Sequence, residues 1–177
     1  IGVDNPVDIS VSGVPASDVV ASISPHGKLN KRGNRYIVNV TKARNVNVSA
    51  SIKRDDGSLR NMGSMEFRVK RVPDPVAKVA GQTGGGIQKS LLAAQTGVEA
   101  VLENFDFDLN FKVTEFTVSA NIGGYQQIAT SNGQLFTQEQ KDLIRKLQGG
   151  RVYIEDIKAV GPDGTERDLP PIIFKLQ

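Results

Sequence analysis

The chain has 177 residues, 38% of them hydrophobic, with no cysteine and a net charge of +3. That gives room for one large domain or two small ones and enough apolar material for a core, which excludes wholesale disorder. It also excludes a disulfide framework, thiolate chemistry and, with no run of about 18 apolar residues, a helical membrane span. The charge is too mild to be a nucleic-acid signal in its own right. The chain opens on Ile1 without a signal peptide, and reads as a mature chain or an excised fragment.

From the N-terminus the pattern is all-β. VDISVSGV (7–14) sets Val7, Ile9 and Val11 against polar residues, and RYIVNV does the same with Tyr36, Val38 and Val40. VNVSASI alternates Val46, Val48, Ala50 and Ile52 with polar residues, and MEFRV alternates Met65, Phe67 and Val69 with Glu66 and Arg68. Period two with polar residues opposite predicts half-buried strands. GVPAS, HGKLNKRGN and RDDGS are turn signals between them. Short strands at this spacing predict a small immunoglobulin-like β-sandwich, inferred from strand count because the hallmark Cys and Trp are missing.

RVPDPV follows, with Pro73 and Pro75 on either side of Asp74. Two prolines so spaced make a short, stiff connector and place a domain boundary there. Pro73, Asp74 and Pro75 are therefore hinge candidates between a domain at 1–74 and one at 75–177. Charge changes at the same point: residues 1–74 hold 12 Lys/Arg and 7 Asp/Glu, a net of +5, and residues 75–177 hold 10 and 12, a net of −2.

The second part is α+β. GQTGGGIQKS (81–90) looks like a phosphate-binding loop with the wrong spelling. IQKSLLAAQTGVEAVL (87–102) puts Ile87, Leu91, Val98 and Leu102 on one stripe and predicts a first helix, which Gly97 weakens by about 1 kcal/mol. FDFDLNFKV alternates from Phe105 to Val113, and then the phase flips to Phe116, Val118 and Ala120, which predicts a bulge or a change of face. YQQIAT and QLF flank SNG, where Asn132–Gly133 signals a tight turn. TQEQKDLIRKL (137–147) predicts a second helix, with Thr137 and Gln140 as a capping box, Glu139 in the first turn and Gly149 past the end. RVYIEDIKAV and PPIIFKL flank GPDGTERD as a last hairpin-like pair.

The glycine run fails as a nucleotide site on its own terms. Gly81 and Gly86 have the Walker A separation, but Ile87 stands where the lysine belongs, and Lys89 and Ser90 come two residues late. A structural turn, or close packing against another backbone, is the better reading, with anion binding at Gly81–Gly86 left open. His26 in SPHGK is a lone histidine in a loop and makes no zinc site without further ligands. Asp106 and Asp108, with Glu103 nearby, read as a solvated strand face rather than a calcium loop. The basic residues Lys28, Lys31, Arg32 and Arg35 read as a solvated turn, since Tyr36 is the one aromatic beside them. No catalytic residue, metal ligand or cofactor is assigned, and the expectation is a binding or structural protein rather than an enzyme. Asn132, Gly133, Pro162, Asp163 and Gly164 are the partner-contact candidates, as exposed loop tips at one end.

The segments VDISVSGVP, ISPHGKL, RYIVNVTKARNVNVSASI, MEFRVKRVPDPVAKV, the glycine turn and FDFDLNFKVTEFTV, in that order, resemble the C-terminal periplasmic region of the GldM/PorM family. That family belongs to the gliding-motility and type IX secretion machinery of Bacteroidota. The resemblance implies a homodimer and a shaft that works by protein–protein contact. One partner would be an outer-membrane-associated ring lipoprotein with its companion protein. An inner-membrane motor partner would be reached through a membrane segment absent here. It implies a periplasmic location, no cofactor and no nucleic acid. The main alternative is a β-sandwich binding module for cell-surface protein or carbohydrate, disfavoured by the absence of Trp and the presence of only three Tyr (36, 125 and 153). A nucleotide-dependent enzyme and a chaperone-like strand donor rank below it.

Overall fold

A computed structural model describes residues 1–105 and 109–177, and the chain falls into two compact units, Ile1–Val72 and Pro73–Gln177. The first unit holds six strands: β1 (Asn5–Val7), β2 (Val19–Ser24), β3 (Lys28–Arg32), β4 (Arg35–Asn39), β5 (Val46–Lys53) and β6 (Leu59–Phe67). They form two antiparallel sheets, ordered β1-β4-β3 and β2-β5-β6. The sheets meet over a small core of Val38, Val40 and Val46, joined by Val7, Ile23, Leu29 and Val69. The result is an immunoglobulin-like β-sandwich. Tyr36 ties the layers together: its ring is buried in one sheet and its hydroxyl donates to the Val19 carbonyl of the other at 2.8 Å, as a buried phenol requires.

Three expectations for this unit are corrected. VDISVSGV contributes only its first residue to a strand, β1, and residues 8–14 are irregular. KLNKR is not a turn but the edge strand β3, which pairs with β4 through a tight turn at Gly33–Asn34; VVASIS is a strand that the sequence reading omitted. Only MEF of MEFRV lies in a strand, the end of the nine-residue edge strand β6, where Met65 and Phe67 stay exposed, while Val69 beyond it packs on the small core. Alternation marks a strand but does not say whether anything covers it.

The second unit holds β7 (Val76–Lys78), β8 (Gly84–Ile87), α1 (Lys89–Ala94), β9 (Glu99–Val101), β10 (Lys112–Ile122), β11 (Tyr125–Ser131), α2 (Gln138–Lys146), β12 (Arg151–Val160), β13 (Glu166–Leu169) and β14 (Ile172–Leu176). Its main sheet runs β11-β10-β12-β14-β8 with β13 also on β12, and β7 pairs with β9 separately. All ladders are antiparallel except β14 with β8. One core joins Phe116, Val118, Val152, Ile154, Phe174 and Ile172 of the sheet to Leu92 of α1 and Leu143 and Ile144 of α2. Phe116 and Phe136 meet edge to face with centroids 5.2 Å apart.

The second helix is as expected. Thr137 caps α2 and the box is reciprocal: the Gln140 amide donates to Thr137 Oγ1 at 3.2 Å, and the Thr137 amide donates to Gln140 Oε1 at 2.9 Å. The phase change in β10 is a bulge, with ladder shifts on both sides of Glu115, so Val113 and Phe116 both reach the core. The first helix is corrected. It stops at Ala94 because Gly97 must lie against another backbone: a Cβ there would sit 2.0 Å from the Gln134 carbonyl oxygen. Val98 donates to Gln134 at 2.8 Å and Phe136 to Thr96 at 2.9 Å. Ile87 and Val98 are both buried, but from a strand and a crossing segment rather than one helical stripe.

That crossing also corrects the SNG hairpin, since QLF pairs with the segment around Gly97 rather than back onto β11. The true hairpin turn is Gly123–Gly124, both at positive φ, between β10 and β11. Two left-handed residues match the strand twist that a two-residue hairpin needs. ERD of GPDGTERD belongs to strand β13. Of FDFDLNFKV, strand β10 begins only at Lys112, and Asp106–Asp108 lies outside the described residues.

Candidate interaction site

The glycine segment is structural. Ala80 and Gly81, at φ 52° and 71°, reverse the chain between Val79 and Gln82, which exchange two backbone hydrogen bonds of 3.0 Å. Gly84–Gly86 then line up beside Ile173–Lys175 of β14 as a parallel strand. A Cβ on Gly84 would come 2.9 Å from the Ile173 carbonyl oxygen, so close backbone approach explains the glycine. Lys89, the residue nearest to a phosphate-binding lysine, donates to the Leu147 carbonyl at 3.0 Å and the Arg145 carbonyl at 3.4 Å. It satisfies the carbonyl end of α2, where a cation is favoured.

A buried charge cluster gathers at the β12–β13 turn, and the sequence reading passed over its centre, Arg167. The Arg167 side chain is 9% exposed. Its Nη2 donates to Asp163 Oδ2 at 2.7 Å and its Nη1 to Asp163 Oδ1 at 3.1 Å and to the Thr165 carbonyl at 3.0 Å. Its Nε donates to Asp74 Oδ1 at 2.9 Å, and its guanidinium lies 4.9 Å from the centre of the Phe111 ring. The two-pronged bond from Arg167 holds the Asp163 carboxyl below the usual carboxylate range, and Asp163 in turn raises the guanidinium further above its ordinary value. A signal existed in the sequence: Asp163 and Arg167 stand four apart across a PDG turn, where a short hairpin folds them together.

The contact candidates are thereby sorted. Pro162 and Gly164 are exposed at the turn tip, whereas the Asp163 side chain is committed to Arg167. Asn132 is exposed and Gly133 half-buried. Ser131 pairs with Phe116 and Val160 with Lys112, so both loops flank the end of the sheet where β10 starts. Of the hinge candidates, Pro73 is exposed and Pro75 buried, and Asp74 is bound to Arg167.

In the first unit, Leu59, Met62, Met65 and Phe67 are exposed on β6, Met65 to 64%. Met65 and Phe67 line a groove of about 470 Å³ with Ile9, Val11 and Val48. Apolar surface concentrated on an unpaired edge strand is characteristic of a pairing surface. The basic residues near it are engaged elsewhere. Lys31 donates to the Ala16 carbonyl at 2.6 Å and lies 5.5 Å from the Tyr36 ring centre, while Arg32 and Arg35 face Asp4 and Asp8 at 4.0 and 3.4 Å. His26 sits half-buried in the turn between β2 and β3. Glu103 pairs with Lys78 at 2.6 Å. Among the described residues no three His, Cys, Asp or Glu side chains gather to hold a metal ion, and no helix is long and apolar enough to cross a membrane.

The fold is that of a two-module, β-rich protein. The model of the GldM third domain matches residues 1–70, and that of the GldM C-terminal domain matches residues 73–177. The chain belongs to the GldM family, whose members are structural components of the gliding-motility and type IX secretion machinery. No curated protein matches it. Among solved structures it is similar to the fibronectin(III)-like modules of CbhA from Clostridium thermocellum, at 14% identity over 99% of this chain and 86% of that one. The TM-score of that match is 0.27.

Proposed function

We propose that this chain is a force-transmitting periplasmic element of the gliding and type IX secretion machinery and acts by protein–protein contact. Its partners are a second copy of itself and an outer-membrane-associated ring lipoprotein with its companion protein. The inner-membrane motor is reached through an anchored part of the full-length protein. The observation that carries this reading is the match of two consecutive GldM domains to almost every residue, 1–70 and 73–177. The loops at Asn132–Gly133 and Pro162–Gly164 are the candidate ring contacts.

The second-copy contact is supported by β6. A second copy of β6 laid antiparallel along this edge would extend the β2-β5-β6 sheet and bring the exposed Met65 and Phe67 of both copies onto one continuous face. Met65 and Phe67 share the face of Val48 and Val46, their partners on β5, whereas the bulge at Met62 turns Leu59 to the other face. Light scattering of the chain, alone and with the purified ring proteins, tests the function. A dimer that shifts into a larger complex is expected. A monomer that ignores the ring proteins, even with upstream domains attached, would overturn it. Met65→Lys places a charge on this edge and should weaken the dimer; a dimer indifferent to it removes β6 as the contact.

A further inference from the structure

Arg167 draws together three stretches of unit 2 that are far apart in sequence. Asp74 lies just before β7, Phe111 just before β10, and Asp163 at the tip of the β12–β13 turn. Gly161 makes the space: a Cβ there would come within 2.6 Å of Phe111, 2.7 Å of Arg167 Nη1 and 2.8 Å of Asp163. The carbonyl of Thr165 accepts a further hydrogen bond from Nη1. Asp163, itself 11% exposed, neutralises the buried cation and presents it in a set orientation. The fork leaves Nε aimed at Asp74, whose own side chain is 76% exposed.

We infer that Arg167 is a pin that fastens the proline connector to the C-terminal module. Prolines fix φ at 73 and 75, and Pro75 holds ψ of Asp74 toward extended values, but φ of Asp74 is left open. The bond to Nε removes that freedom. Two residues on, the β7–β9 ladder takes over, with Val76 opposite Val101. From Asp74 onward the chain therefore moves as part of unit 2, and bending between the modules is confined to the few residues before it. An isolated, exposed ion pair holds little, because two flexible side chains must be ordered to form it. Here the arginine is already ordered by Asp163, Thr165 and Phe111, so only Asp74 has to be captured. This deepens the reading of the chain as a force-transmitting element: pinning the connector shortens the joint across which a twist can be lost.

The test is the width of the inter-module distance distribution by double electron–electron resonance. The chain has no native cysteine, so labels at Ser58→Cys and Gln126→Cys, both exposed positions, report without interference. Asp74→Ala should broaden the distribution about twofold with the melting temperature nearly unchanged, since its side chain is exposed. Arg167→Met should broaden it at least as much. If Arg167→Met fails to fold, Asp74→Ala decides alone. A distribution of unchanged width in folded Asp74→Ala overturns the pin. The measurement needs no partner protein, so its failure is distinguishable from failure of the secretion-machinery reading. A chain that broadens on Asp74→Ala yet ignores the ring proteins keeps the pin and loses the shaft.

Discussion

Gln140→Leu isolates the contribution of one buried amide. Gln140 is fully buried between α2 and the sheet. Its Oε1 accepts from the Thr137 amide at 2.9 Å, and its Nε2 donates to the carbonyls of Ala129 at 3.1 Å and Phe116 at 3.4 Å. One side chain thus closes the capping box and docks the first turn of α2 on β10 and β11. Leucine keeps the volume and the helix propensity, and the Gln140 backbone bond to Thr137 Oγ1 survives the change. What is lost is three hydrogen bonds, which leaves two buried carbonyls and a half-buried amide without that partner. Unsatisfied buried groups cost about 1–3 kcal/mol each, and the Phe116 bond is long, so about 3 kcal/mol in total is expected. For a unit of this size each kcal/mol shifts the melting temperature by about 4–8 °C, so the fall should be roughly 12–24 °C. Far-ultraviolet circular dichroism reads the right unit, because both helices lie within Pro73–Gln177. Thr137→Ala, which removes only the other half of the box, should cost about 1 kcal/mol. A drop of less than about 4 °C in Gln140→Leu would show that the amide is not the tie between helix and sheet.

Other perturbations follow the same logic. Gly97→Ala places a methyl group 2.0 Å from the Gln134 oxygen and must open the crossing at Val98 and Phe136; two lost hydrogen bonds and disturbed packing amount to about 2–4 kcal/mol, read as a lower denaturant midpoint. Lys89→Ala strips the cation from the end of α2, and a loss of about 0.5–1 kcal/mol by chemical denaturation is expected, smaller in high salt. Asp163 has a folded-state pKa below its unfolded one. The unfolded chain therefore binds the extra proton, and the stabilisation is complete above the unfolded value, near 3.9, and is lost as pH falls through the folded value. Thermal melts from about pH 6 down to pH 2 should fall less steeply in Asp163→Asn than in the parent chain; identical slopes would mean that the Arg167 fork does not stabilise the fold.

Much of the architecture is legible in the sequence because it rests on local chemistry. The cap at Thr137, the phase change between Val113 and Phe116 and the strand alternation of RYIVNV and VNVSASI are decided by residues a few positions apart. The helix expected over 87–102 fails because a strand, a short helix and a crossing segment bury Ile87, Leu92 and Val98 in one core, while Leu91 of the expected stripe stays exposed. The Asp163–Arg167 pair is local and legible across the PDG turn, but the bond from Arg167 to Asp74 is not, since its partner stands 93 residues away.

The sequence by itself determined the immunoglobulin-like and α+β character of the two parts and the second helix with its cap, since propensity and capping act over a few residues. The tertiary structure alone decided which strands are edges, and so left Met65 and Phe67 exposed despite their alternation. It alone decided where glycine is obligatory, because the obstacle at Gly84 is β14 and the obstacle at Gly97 is the segment after β11. It alone brought Asp74, Phe111 and Asp163 to one arginine. Burial, close approach and charge pairing depend on what the rest of the chain places nearby, and that is a property of the packed fold rather than of any local stretch.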